Sequence, residues 1–176
     1  MPTTSRAPAR TWDIWVRFTH WTIAGIVAWN LFGPTDEMHR LVGYGAAMLV
    51  FLRIVWGFVG SQPARFATWW PARRHLAEYM RSLIAGKPID HVSHNPLGAL
   101  MALTLWLLIV ALAFSGWLMR LDAFWGEDWP HDIHTFLSIA LEACVCVHII
   151  AAVVMSCWTG INLIGAMVTG RKRTKE

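Results

Sequence analysis

The stretch His134-Thr-Phe-Leu-Ser-Ile-Ala-Leu-Glu-Ala-Cys-Val-Cys-Val-His148 decides the reading of this chain. At 100° and 1.5 Å per residue, its two histidines stand within roughly 40° of each other around a helix and about 21 Å apart along it. One face of a bilayer-sized helix therefore presents an imidazole near each end. Ionisable or ligand-type residues inside an apolar span are costly, and by default they point to function. The expectation is that each imidazole binds one haem iron and that facing helices supply the opposite ligands.

Composition supports a membrane protein. Of 176 residues, 56% are hydrophobic, and the mean hydropathy of +0.43 is too apolar for an ordinary soluble domain. The twelve tryptophans favour membrane–water interfaces. Cys144, Cys146 and Cys157 form no disulfide framework and read as buried small hydrophobes. The run Cys144-Val-Cys146-Val-His148 departs from the C-x-x-C-H attachment motif, so any haem is expected to be held without thioether bonds. The first apolar run lacks a small-residue cleavage site and contains Arg17 and His20, so it reads as a retained helix. No nucleic-acid partner is expected.

Four segments are long enough to span a bilayer, which takes about 20 apolar residues. They are expected at about 12–32, 38–59, 96–119 and 132–158, the last with a possible shorter interfacial continuation to residue 169. The third has no charge at all. Asn95-Pro96 has the form of a helix start, and Pro130 fits the same role before the fourth. Lys and Arg concentrate in the N-terminus (Arg6, Arg10, Arg17), in the connection between the second and third spans (Arg65, Arg73, Arg74, Arg81, Lys87) and in the tail (Arg171, Lys172, Arg173, Lys175). The positive-inside rule then puts both termini in the cytoplasm. The long inner connection carries Leu76, Tyr79, Met80, Leu83 and Ile84 at helical spacing, an amphipathic interfacial helix at about 72–85, with a solvated basic linker as the alternative. The outer connections hold Asp36, Glu37, Asp122, Glu127, Asp128 and Asp132 against Arg40 and Arg120, a formal −4.

On that topology, depth pairs His39 with His134 around an outer haem, and His20 with His148 around an inner one. His131 rivals His134 but lies about 100° from His148 around the helix. His75, His91 and His94 fall in the inner connection and read as surface or interfacial. Arg53 shares the His39 face at the inner level, and Arg17 lies one turn before His20. Two roles fit both arginines: neutralising propionates of the inner haem, or snorkelling to headgroups. Gly43, one turn after His39, either leaves room for a porphyrin or serves helix packing. Glu142 lies between the two haem depths, either handling protons or bonded as a neutral carboxyl to Ser or Thr.

The pattern Arg17-x-x-His20-Trp21, His39-x-x-x-Gly43 followed by Arg53, and His134 and His148 fourteen apart resembles the bacterial cytochrome b561 family, related to the cytochrome b subunits of nickel-iron hydrogenases. Arg53-Ile-Val-Trp-Gly-Phe-Val-Gly-Ser61, Ala64-Arg-Phe66, His94-Asn-Pro-Leu-Gly98 and Met167-Val-Thr-Gly-Arg-Lys-Arg173 are similar to stretches of the hydrogenase-like branch. The resemblance covers nearly the whole chain. It departs at Trp158-Thr-Gly-Ile-Asn162, where a polar, basic stretch is expected. It implies a single all-α domain over residues 1–176: an integral membrane four-helix bundle of the inner membrane, binding two non-covalent b haems through bis-histidine ligation. It also implies ubiquinone or another quinone as the lipid-side partner, bound near Arg17, His20 and Arg53.

Four functions follow. The first is electron transfer between quinone and a periplasmic redox protein, the acidic outer surface attracting a basic c-type cytochrome. The second is superoxide oxidation with reduction of ubiquinone. The outer acidity argues against it unless Arg40 or Arg120 makes a local positive pocket, because superoxide is an anion. The third is anchoring a hydrogenase or another periplasmic dehydrogenase subunit. The fourth is a haem-free four-helix scaffold or transporter component, which predicts no haem absorption.

Overall fold

The computed structural model describes residues 11–86 and 95–172. Arg6, Arg10, Lys87, His91, His94, Arg173 and Lys175 lie outside them. The described residues form helices and no strand elements: α1 Ile14–Phe32, α2 Glu37–Val59, α3 Phe66–Trp69, α4 Arg73–Ile84, α5 Pro96–Leu118, α6 Trp129–Thr159 and α7 Leu163–Thr169. Among the described residues, α2, α5 and α6 are long and apolar enough to cross a membrane. α1 is not among these: Arg17, His20 and Asn30 lower its hydropathy.

Helix boundaries follow local chemistry. The side chains of Asp13, Asp36 and Asn95 accept hydrogen bonds from the first free N–H groups of α1, α2 and α5, which would otherwise lack partners. Pro96 in the first turn of α5 gives up an N–H that the helix does not use. α6 starts at Trp129, three residues before its expected start at 132. Pro130 is tolerated inside the first turn, so the helix begins before the proline. Its end is set by Gly160 at φ 69°, a left-handed position that favours glycine. The continuation toward residue 169 is thus a separate helix, α7, capped by Asn162, whose side chain accepts from the Gly165 N–H at 2.6 Å.

α1 packs on α2, α2 on α5, α5 on α6 and α6 on α7. At mid-height, Val27, Ala46, Val50, Ile109 and Leu141 pack into one buried apolar cluster drawn from α1, α2, α5 and α6. Val27, Ala46 and Leu141 lie seven residues from His20, His39 and His134 respectively, and Leu141 is also seven from His148. The apolar layer thus stands about 10 Å along the helices from each histidine level. A second cluster, Trp12, Val16, Ala64 and Ala166, closes the end where α1 begins. There α7 folds back on α1. The Gly170 carbonyl accepts from the backbone of Thr11 (2.9 Å) and Trp12 (3.3 Å), and the Trp21 indole donates to the Met167 carbonyl at 3.3 Å. The outward faces of the long helices carry exposed large apolar side chains such as Leu107, Phe114, Phe136 and Ile150, as lipid-facing surfaces do.

α4 turns Tyr79 inward, 2% exposed, and leaves Arg73, Arg74 and Arg81 exposed. It packs against α5. The connecting segment is held by an aromatic cluster. The Phe66 ring lies 5.0 Å from Phe58, 5.1 Å from Trp69 and 6.3 Å from Trp106. Gly57 permits this, because a side-chain carbon there would collide with the Phe66 ring.

Candidate functional site

Histidines from three helices meet at two levels. His39 of α2 and His134 of α6 stand with ring centres 6.2 Å apart. At the other level His20 of α1 and His148 of α6 stand 6.3 Å apart. All four are partly buried. Two imidazoles ligating one first-row metal from opposite sides, each nitrogen about 2 Å away, put their ring centres roughly 6 Å apart. At that spacing each couple, His39 with His134 and His20 with His148, could hold one haem iron between its two imidazoles. Nδ1 of His20 and Nδ1 of His39 are buried without a hydrogen-bond partner, an arrangement that costs free energy unless something else compensates. His131 and His75 are exposed and belong to neither pair.

The His39–His134 level opens into a cavity of about 300 Å³ whose lining includes His39, Gly43, Asn30, Arg40, Arg120 and Leu141. A side-chain carbon at Gly43 would come within 3.2 Å of the Asn30 amide nitrogen. Arg40 and Arg120 both border this cavity. Arg40 is paired with Glu37 at 2.8 Å. On the far side, α5 reaches His134 with two small residues. Ser115 Oγ lies 2.9 Å from His134 Nδ1, and a side-chain carbon at Gly116 would stand 3.5 Å from His134 Cε1.

At the His20–His148 level, Arg17 donates from Nη1 to the Val168 carbonyl of α7 at 2.8 Å, while its Nε is buried without a partner. Arg17, Phe18, Trp21 and Val168 line an open groove between α1 and α7. Arg53 is 3% exposed, which removes the reading in which it snorkels to headgroups. Its guanidinium lies 5.4 Å from the Trp106 ring centre, close enough for a cation–π contact, and its Nη1 has no hydrogen-bond partner. Arg53 is also in electrostatic reach of Asp13. The Asp13 carboxylate accepts from the Val16 backbone at 2.8 Å, from the Trp56 indole at 3.1 Å and from Ser61 Oγ. Burial alone pushes the Asp13 carboxyl up, but these hydrogen bonds, with the Arg53 charge, outweigh it and hold the group below its ordinary value.

Other expectations require correction. Glu142 is exposed on the outer face of α6, so it is not a buried carboxyl between the two levels. Cys146 and Cys157 are exposed and Cys144 is half-buried, so the three are not buried small hydrophobes. Both differences come from rotation: at 100° per residue, Glu142 lies about 80–120° from the two histidines of α6, and Cys146 and Cys157 about 120–180°, outside the inter-helix contacts. Sequence reasoning missed Asp13 and Ser115. Asp13 carried a signal, an acid immediately before an apolar run in N-cap position. Ser115 carried none beyond being a hydroxyl in an uncharged span.

The family described as prokaryotic cytochrome b561 matches residues 11–170. The chain is also similar to the probable Ni/Fe-hydrogenase B-type cytochrome subunit of Rhizobium leguminosarum bv. viciae. The two are 24% identical over 172 residues, covering 83% of this chain and 72% of the relative. No solved structure matches the chain. With residues 11–170 matched, the chain belongs to the prokaryotic cytochrome b561 family, membrane b-type cytochromes that transfer electrons.

Proposed function

We propose that the protein is a di-haem cytochrome of the bacterial inner membrane, carrying electrons between the quinone pool and a periplasmic redox partner. In this reading α1, α2, α5 and α6 form a four-helix bundle, one domain with both termini cytoplasmic. His39 and His134 ligate the outer haem, and His20 and His148 the inner. The observation that carries it is the pair of imidazole couples, 6.2 and 6.3 Å between ring centres, with an apolar layer between them.

Each haem, when bound, supplies one-electron exchange at its iron. The chain's own residues do the rest. The histidines would fix two stations about 21 Å apart along α6. The layer of Val27, Val50, Ile109 and Leu141 excludes water between them. Gly43 and Gly116 keep the His39–His134 level open, while Arg17 and Arg53 place positive charge near the inner level, where propionates are anionic. The groove beside Arg17 and Trp21 is the candidate entry for a quinone headgroup, because it joins a fixed cation to the lipid-facing surface. For the periplasmic partner, a basic c-type cytochrome or a dehydrogenase subunit fits the acidic outer connections. The name of the Rhizobium relative favours a hydrogenase.

The test is the reduced-minus-oxidised spectrum with the haem-to-protein ratio. Wild type is expected to hold two haems, and Ala at each of His20, His39, His134 and His148 to lose about one. A colourless protein from haem-replete cells sinks the reading. One observation favours a second activity, superoxide oxidation: Arg40 and Arg120 both border the outer cavity, where they make a mouth for an anion despite the surrounding acids. Fast haem reduction by superoxide, lost in R40A or R120A, selects that activity.

A further inference from the structure

The four histidines are not held alike. Nδ1 of His20 and Nδ1 of His39 have no hydrogen-bond partner. His134 Nδ1 has Ser115 Oγ at 2.9 Å. Ser115 is itself 2% exposed, and its hydroxyl donates to the Leu112 carbonyl one turn back, at 3.1 Å. A serine hydroxyl has one hydrogen and two lone pairs. With the hydrogen given to Leu112, Oγ faces His134 as an acceptor. In this arrangement the tautomer with the proton on Nδ1 satisfies both groups, and it leaves Nε2 as the unprotonated, metal-binding nitrogen. Gly116, the next residue, lies beside the same ring: a side-chain carbon there would stand in ordinary contact with it, 3.5 Å from Cε1.

We propose that Ser115 is a positioning residue for His134, and that it lowers the reduction potential of the haem at the His39–His134 level. The inference rests on the di-haem reading above. An acceptor on the distal nitrogen fixes the tautomer and ring orientation and makes the ligating nitrogen more basic. A more basic axial ligand stabilises ferric over ferrous iron, so the potential falls. α5, which carries no histidine among its described residues, thereby takes part in setting the difference between the two stations.

The experiment is a spectroscopic redox titration of wild type, S115A and S115T, with H134A identifying which midpoint belongs to this level. S115A is expected to keep both haems and raise only that midpoint, while S115T, which keeps the hydroxyl, stays near wild type. Loss of that haem in S115A with retention in S115T also supports the positioning role. An unchanged midpoint in S115A, equal movement of both midpoints, or the same defect in S115A and S115T overturns it. Absence of haem from wild type instead overturns the underlying di-haem reading.

Discussion

At the residue scale, Asp13 joins three segments: it caps α1, accepts from Trp56 of α2, and accepts from Ser61 in the turn that follows. Its carboxyl titrates below the ordinary value of 3.8 in the folded protein. A depressed carboxylate contributes stability that is present above the unfolded pKa and is lost as pH falls through the folded one. The end of the molecule where α1 begins is therefore expected to loosen in acid, below about pH 4. Thermal unfolding of wild type against D13N from pH 7 to pH 3 checks this. D13N should be less stable at neutral pH, and the difference should shrink at the acid end. A constant difference would show that only the cap's shape matters. Glu142 presents the opposite case, a carboxylate exposed near the middle of a spanning helix, where membrane burial of an acid is costly.

At the scale of elements, the packing of the α2–α4 connection depends on one missing side chain. Phe66 lies where a Gly57 side chain would be, and its ring is enclosed by Phe58, Trp69 and Trp106, so it has little room to yield. G57A is expected to destabilise by about 1–3 kcal/mol, the usual cost of overpacking. Relief by F66L in the double variant, measured by thermal unfolding, would identify the clash as the cause. α7 shows how a cap decides placement. Left-handed Gly160 breaks the helical path and Asn162 restarts it. The short helix then returns to α1 and receives the Arg17 guanidinium on its Val168 carbonyl.

At the scale of the molecule, the acidic charges stand apart from the histidine levels. Asp36, Glu37, Asp122, Glu127, Asp128 and Asp132 are all exposed, and they gather at the connections beyond the His39–His134 level. The histidine levels are bordered by arginines: Arg40 and Arg120 at one, Arg17 and Arg53 near the other. If a basic redox protein docks on the acidic rim, its second-order electron-transfer rate should fall steeply as ionic strength rises, because exposed charges are screened beyond about 10 Å at 0.1 M salt. A stopped-flow series with a basic c-type cytochrome checks this. A flat salt dependence would turn attention to an apolar docking face instead.

The three long apolar helices α2, α5 and α6 and the shared face of His134 and His148 were legible in the chain, because rise and rotation per residue are properties of a single helix and carry from sequence to coordinates without a neighbour. Fourteen residues set His134 and His148 on one face however α6 is packed. The inward or outward sense of the other positions was not legible. Arg53 lies inside against Trp106, although its count along α2 fitted snorkelling to headgroups equally well. An angle around a helix becomes buried or exposed only once the neighbouring helices are in place. The same holds for Ser115, for the contacts of Asp13 with Trp56 and Ser61, and for the return of α7 to α1: those partners lie 19 or more residues away. Their roles are thus set by where the chain returns in space, and only the tertiary structure decides that.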